Sequence, residues 1–184
     1  MTTMLPLLPA DEAIKCGKEV EVDQNFATLN AFRAMLHSPR AAAAVANLLR
    51  TLMFKNTLNS RARELVILRT GWRTRSEYEF CQHVRVSRDL KMSEEEILGV
   101  RDPDKCATYS ETDRAVIRMA DELLDHSEVS PGTWATLAKS FSHGELVELL
   151  LAAGFWRMIA GYLKTAKVPL DAGVPSWPEG KAPA

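Results

Sequence analysis

The sequence predicts an all-α protein, on three observations. Apolar residues recur at three- and four-residue spacing through most of the chain. Helix start signals of the Ser-Pro and Ser-x-x-Glu kinds punctuate those stretches. No segment shows the apolar–polar alternation between turns that marks a strand. With 184 residues the chain suits one domain able to bury a real core. It reads as an N-terminal arm over 1–20, a helical domain over 21–171 and a proline-rich extended tail over 172–184.

Pro6 and Pro9 make the arm irregular, with Leu5, Leu7 and Leu8 as its anchors. A helix over about 23–36 follows from the spacing of Phe26, Leu29, Phe32 and Leu36. Ser38-Pro39 breaks it and opens a second helix over about 39–55, which carries Ala41 to Ala44, Val45, Leu48, Leu49 and Leu52. Asn59-Ser60 starts the third helix, with Ser60 as its cap. The fourth begins at Ser76 and runs to about residue 90. Ser93-x-x-Glu96 is a capping box for a short helix, and 101–109 is a loop. A helix over about 111–126 buries Ala115, Val116, Met119, Ala120, Leu123 and Leu124. Ser130-Pro131 opens a short one. Ser142-x-x-Glu145 opens the last, over about 143–166, which is apolar almost all round and belongs in a core or an interface.

The chemistry concentrates between residues 61 and 88. Glu64 sits just before Leu65-Val66-Ile67-Leu68, and Arg73-Thr74-Arg75 forms a tight polar corner. Beyond it, Glu79 and His83 are four apart and share a helix face. Such a pair can hold a proton near neutral pH, which acid–base catalysis requires. Glu64 can fold back across the corner as orienter or second proton carrier.

Plainer readings stand beside this one. Ser76-x-x-Glu79 fits a capping box, and Glu64 with Arg61 fits a surface ion pair worth little. Glu-x-x-x-His with Glu64 also has the donors of a metal site, but no second histidine has ligand spacing, so no metal is assigned. Cys81 lies in the second turn of its helix, where the dipole favours a thiolate. It has no resolving partner at two-residue spacing, and a lone helical cysteine is commonly buried and inert. Trp72 and Trp156 fit either a core or, with Cys81, the wall of a substrate site. His126, at a helix C-terminus, suits a structural role.

Composition narrows the classes. The net charge of -1 leaves no electrostatic footprint for nucleic acid, because Glu64, Glu77 and Glu79 interleave with Arg61, Arg63, Arg69, Arg73 and Arg75. Three widely spaced cysteines point to a reducing compartment. The N-terminus has no basic region ahead of an apolar one, and no stretch reaches the ~18–20 apolar residues of a membrane span. The expectation is a cytoplasmic protein with neither nucleic-acid nor membrane partners.

Three blocks of the sequence resemble the carboxymuconolactone decarboxylase family, which includes the alkylhydroperoxidase D-like proteins. They are Asn59 to Arg69, Ser76 to Val84 followed by Ser93 to Ile97, and Leu146 to Asp171 with Gly154-Phe155-Trp156. The resemblance implies an all-helical fold that self-associates as dimers, trimers or hexamers. In the hydroperoxidase branch the second helix opens with Cys-x-x-Cys, followed by a His four residues on, with a Glu upstream. Here Ser76 and Glu79 stand at the two cysteine positions, while His83 and Glu64 match. Disulfide-based peroxide reduction needs both thiols, so the resemblance favours the decarboxylase-like branch. It implies cofactor-free acid–base chemistry by Glu64, Glu79 and His83 on a small unsaturated or keto acid or a lactone. The alternatives are a thiol-dependent hydroperoxidase using Cys81 and a non-catalytic oligomeric binding protein.

Overall fold

The structure is a computed structural model in which residues 4–183 are described; the first three residues of the arm and the last of the tail lie outside them. Among the described residues there are ten α-helices and no strand. They are α1 (Ala10–Glu19), α2 (Gln24–Ala27), α3 (Asn30–Met35), α4 (Pro39–Phe54), α5 (Ser60–Thr74), α6 (Glu77–Asp89), α7 (Glu94–Gly99), α8 (Glu111–His126), α9 (Pro131–Ser140) and α10 (His143–Ala166). The chain divides into two compact units. One comprises Met1–Asn56 with Tyr162–Gly173, the other Thr57–Gly161 with Val174–Ala184.

In the first unit, α1 to α4 close around Ala13, Val22, Ala27, Phe32, Leu36, Ala42 and Ala46. Four alanines in this core keep its helices close together. The arm is more regular than expected: Pro9 is the N-cap of α1, where its fixed φ and missing N–H cost nothing. The helix anticipated over 23–36 is split into α2 and α3. Thr28 turns its hydroxyl back onto the Gln24 and Asn25 carbonyls, and Leu29 is extended at the start of α3.

The second unit is organised around α5, whose residues Ala62 to Gly71 are all buried. Three of its arginines, Arg61, Arg69 and Arg73, are taken up by carboxylates on neighbouring helices. Arg61 meets Glu96 and Asp113 at 2.6 and 3.0 Å, so it is not the partner of Glu64. Arg69 meets Asp121 at 2.7 Å, and Arg73 meets Asp121 and Asp125 at 2.6 and 2.8 Å. α6 folds back along α5 through a short corner. Thr74 ends α5, Arg75 takes the left-handed conformation at φ 58°, and the Ser76 N–H donates to the Gly71 carbonyl at 2.9 Å. Gly71 lets the two backbones approach, since a Cβ there would lie 3.1 Å from the Phe80 nitrogen.

Within the chain α10 has a core side and an exposed apolar side, with Val147, Leu151 and Met158 each about half exposed, whereas α5 is enclosed on all sides. Apolar composition alone does not distinguish these two cases. Length and apolar composition would also let α10 cross a membrane, but 44% of that stretch is buried inside the fold. The tail is extended from Val168 and is held by side-chain contacts. Trp177 packs on Trp72 and Phe80, with ring centroids 5.9 and 5.2 Å away, and Arg101 holds Glu179 at 3.0 Å.

Candidate active site

The site grows from the pairing of α5 with α6. Asn59, not Ser60 as anticipated, caps α5, its side-chain oxygen accepting from the Ala62 N–H at 2.8 Å; Glu64 follows one turn later, and its side chain is completely buried. Burial of a carboxylate is tolerable only with strong partners. Glu64 has two. The Arg63 Nε–H donates to Oε1 at 3.1 Å, and His83 Nδ1 lies 2.7 Å from Oε2. Arg63 is itself buried, at 5% exposure.

The other ring nitrogen of His83 fixes the proton arrangement. The Trp156 indole Nε1–H, which can only donate, reaches His83 Nε2 at 3.2 Å. Nε2 therefore accepts, and Nδ1 carries the proton that it donates to Glu64. Arg63, Glu64, His83 and Trp156 form one continuous chain of hydrogen bonds in which every link has a defined direction. The indole ring stands edge-on to the imidazole, 5.7 Å between centroids, and edge-on to Phe155 at 4.9 Å. Trp156 is 2% exposed, while the His83 side chain keeps 13% of its surface in contact with solvent.

Glu79, one turn before His83 on α6, is in a different situation. It is buried, and neither of its carboxyl oxygens has a hydrogen-bond partner. Burial without compensation pushes its pKa well above the usual carboxyl range, which favours the neutral acid. The expected capping box does not form, since the Ser76 side chain makes no cap bond and its hydroxyl is also unpartnered. Residues Ser76 and Glu79 read as a helix start in sequence, but the close approach of α5 at Gly71 encloses them.

Cys81 and Trp72 lie elsewhere. Cys81 is buried, and burial, with the nearby Glu77 charge adding to it, pushes its thiol up to about 12. The favourable helix dipole anticipated for this position is outweighed by desolvation. Cys81 borders a cavity of about 390 Å³ between α6, α7 and the tail, together with Val84, Leu98 and Trp177. Trp72 packs with Phe80 and Trp177 beneath the Arg101 guanidinium, 5.1 Å from its ring, and so belongs to an aromatic cluster rather than to the chain ending at Trp156. Among the described residues no three His, Cys, Asp or Glu side chains are grouped as a metal ion would need.

Two features escaped the sequence reading. Arg63 was treated only as one of a run of arginines, although its adjacency to Glu64 was a usable signal. The bond between Trp156 and His83 spans 73 positions, and no local pattern announces it.

No curated protein matches the sequence. A family model described as the carboxymuconolactone decarboxylase family matches residues 39–122, a stretch that includes Glu64, Glu79 and His83. Solved structures share the fold at low identity. An alkylhydroperoxidase AhpD core, an uncharacterized peroxidase-related protein from Ralstonia eutropha JMP134, is 19% identical with a TM-score of 0.76, covering 92% of this chain and 93% of its own. An uncharacterized peroxidase-related protein from Silicibacter sp. TM1040 is 15% identical with a TM-score of 0.74, covering 93% and 90%. A variant of the debrominase Bmp8 in complex with 2,3,4-tribromopyrrole is 14% identical with a TM-score of 0.77, covering 94% of each chain. The family match lies over the helices that carry both acids and the histidine, and the same helical architecture recurs in AhpD-like proteins. On those two grounds the chain resembles the carboxymuconolactone decarboxylase family over residues 39–122 and shares the all-helical fold of AhpD-like proteins.

Proposed function

We propose that this protein is a cofactor-free acid–base enzyme of the decarboxylase, lyase or isomerase type. Its substrate is a small unsaturated or keto acid, or a lactone. The family match over residues 39–122 supports the coarser statement, a small-molecule enzyme or a peroxidase-related protein. The finer reading rests on one observation: a buried Glu79 carboxyl with no hydrogen-bond partner, its pKa pushed up by that burial, stands one turn from an imidazole whose Nε2 accepts the Trp156 indole N–H and whose Nδ1 is tied to Glu64. Groups whose environments favour opposite tasks are the mark of an acid and a base working together.

In a decarboxylation, the bond from the α-carbon to the carboxylate breaks and carbon dioxide leaves. The electron pair moves into the adjacent carbonyl as an enolate. Glu79 gives its proton to the carbon, and the resulting carboxylate recovers one from solvent by way of His83. In an isomerisation, Nε2 removes a proton beside the carbonyl and Glu79 supplies one at the far end of the dienolate. Glu64 stabilises the imidazolium formed in between.

The hydroperoxidase reading draws on the cavity beside Cys81, but a thiol held at about 12 supplies almost no thiolate at neutral pH. The test is deuterium wash-in from heavy water into acetoacetate and a carboxymethyl-substituted unsaturated γ-lactone, followed by proton NMR. The wild type is expected to label or decarboxylate a member of this panel, and His83→Ala and Glu79→Gln to lose that activity by about 10²–10⁴-fold, the usual worth of a positioned acid or base. Consumption of tert-butyl hydroperoxide with dithiothreitol, and no carbon labelling, would overturn the proposal.

A further inference from the structure

The contact between Trp156 and His83 is unusual in what it occupies. A base needs its lone pair free, yet the Nε2 lone pair is capped by an indole N–H at 3.2 Å. The indole is 2% exposed and has no freedom to turn toward solvent instead. On the far side of the ring the Glu64 carboxylate, also fully enclosed, takes Nδ1–H at 2.7 Å. The two contacts agree on a single tautomer. Each would lose its bond if the proton moved to Nε2: indole N–H and ring N–H would then face each other, and Glu64 would face a lone pair.

From this geometry we infer that Trp156 is a positioning residue for His83, holding the ring as the Nδ1–H tautomer so that its one basic nitrogen is Nε2, and that the indole N–H and Nε2 together are the pair a substrate must engage. The donor and acceptor satisfy each other at rest. A ligand that parts them without leaving either unpaired must offer an acceptor to the indole and a hydrogen to Nε2 from neighbouring atoms. An enolisable carbonyl unit does this, its oxygen taking the indole N–H while the hydrogen on its α-carbon meets Nε2. As the carbon loses its proton, charge builds on that oxygen, where the N–H already points. The substrate class narrows to compounds whose reacting carbon lies directly beside a carbonyl, as opposed to a carbon remote from one.

The significance for catalysis rests on reading His83 as the base; the tautomer itself does not, and the test keeps the two apart. The full-length protein labelled with ¹⁵N at histidine is observed at pH 8 as wild type and as Trp156→Phe. The wild-type His83 ring is expected as Nδ1–H alone. Trp156→Phe is expected to populate the Nε2–H form, the ratio moving by about fivefold, the worth of one ordinary hydrogen bond. If the phenylalanine variant does not fold, 3-benzothienylalanine at position 156 replaces the N–H with sulfur in a ring of the same shape. Acetylacetone is then added to the wild type, and the indole N–H signal that vanishes in Trp156→Phe is expected to shift. An unchanged tautomer in the Trp156 variants, or a wild-type ring protonated on Nε2, overturns the positioning role. An indole signal unmoved by acetylacetone overturns the engagement of the carbonyl. A locked tautomer combined with no carbon labelling in the exchange assay would instead sink the enzymatic reading alone.

Discussion

Glu79 is the residue whose environment most constrains how the site works. In the unfolded chain it ionises near the ordinary value for glutamate, about 4.3, and in the folded protein well above it. Between those two values the folded state holds the extra proton. Stability is therefore fully present below about pH 4.3 and falls as pH rises toward the folded value, by up to about 1.4 kcal/mol per pH unit. Glu79→Gln removes this dependence. The variant is expected to match the wild type in urea denaturation at pH 4 and to be the more stable of the two at pH 7.5. Equal stability at both pH values would mean that Glu79 is not held neutral. Cys81 makes the opposite case, a reactive residue type disarmed by its surroundings. Iodoacetamide at pH 7.4 is expected to label half-buried Cys16 first and to leave buried Cys81 and Cys106 unmodified until the protein unfolds, as read by mass spectrometry of tryptic peptides. At this scale the sequence made Glu64, Glu79 and His83 visible as residue types at helical spacing. It did not reveal their states. Whether Ser76-x-x-Glu79 forms a capping box or a dry acid depends on what packs over it, and that is a fact about α5.

At the scale of elements, the boundaries most legible in sequence were those with a local cause. Pro39, Ser93 with Glu96, Ser110 with Asp113, and Ser142 with Glu145 each start a helix where anticipated, because a cap needs only its neighbours in the chain. The break between α2 and α3 and the exposed side of α10 were not legible: at the break the Thr28 back-bonds are joined by a distant one, the Asn30 N–H donating to Asp171 at 2.7 Å, and the side of α10 left exposed depends on long-range packing. The α5–α6 pair carries the main structural demand of the site. Gly71 is the point of closest approach, and a methyl group there would press on the Phe80 backbone at 3.1 Å. Backbone cannot swing aside as a side chain can. Gly71→Ala is expected to cost about 1–3 kcal/mol, the usual range for overpacking, measured by chemical denaturation. It should also disturb His83, one turn beyond Phe80 on α6. A neutral or stabilising outcome would show that α6 shifts freely against α5, and the fixed Glu64–His83 distance would lose its support.

For the molecule as a whole, the second unit contains all the groups assigned a chemical role, and the chain of bonds from Arg63 to Trp156 draws on α5, α6 and α10. The family model reaches Glu64, Glu79 and His83 but stops short of Trp156, whose bond to His83 emerges only from the coordinates. Of the two readings open for Trp72, core and substrate wall, the contacts match the core, and its partner Trp177 lies in the proline-rich tail, which no local pattern ties to it. The proposed function assigns the chemistry to imidazole and carboxyl groups rather than to sulfur. The most direct test is deuterium wash-in by the cysteine-free protein, Cys16→Ser with Cys81→Ser and Cys106→Ser, run beside His83→Ala on the same keto acid and lactone. The cysteine-free protein is expected to keep its rate within a factor of about two, while His83→Ala falls by at least about a hundredfold. Loss of activity in a folded cysteine-free protein, with His83→Ala unaffected, would contradict the proposed mechanism.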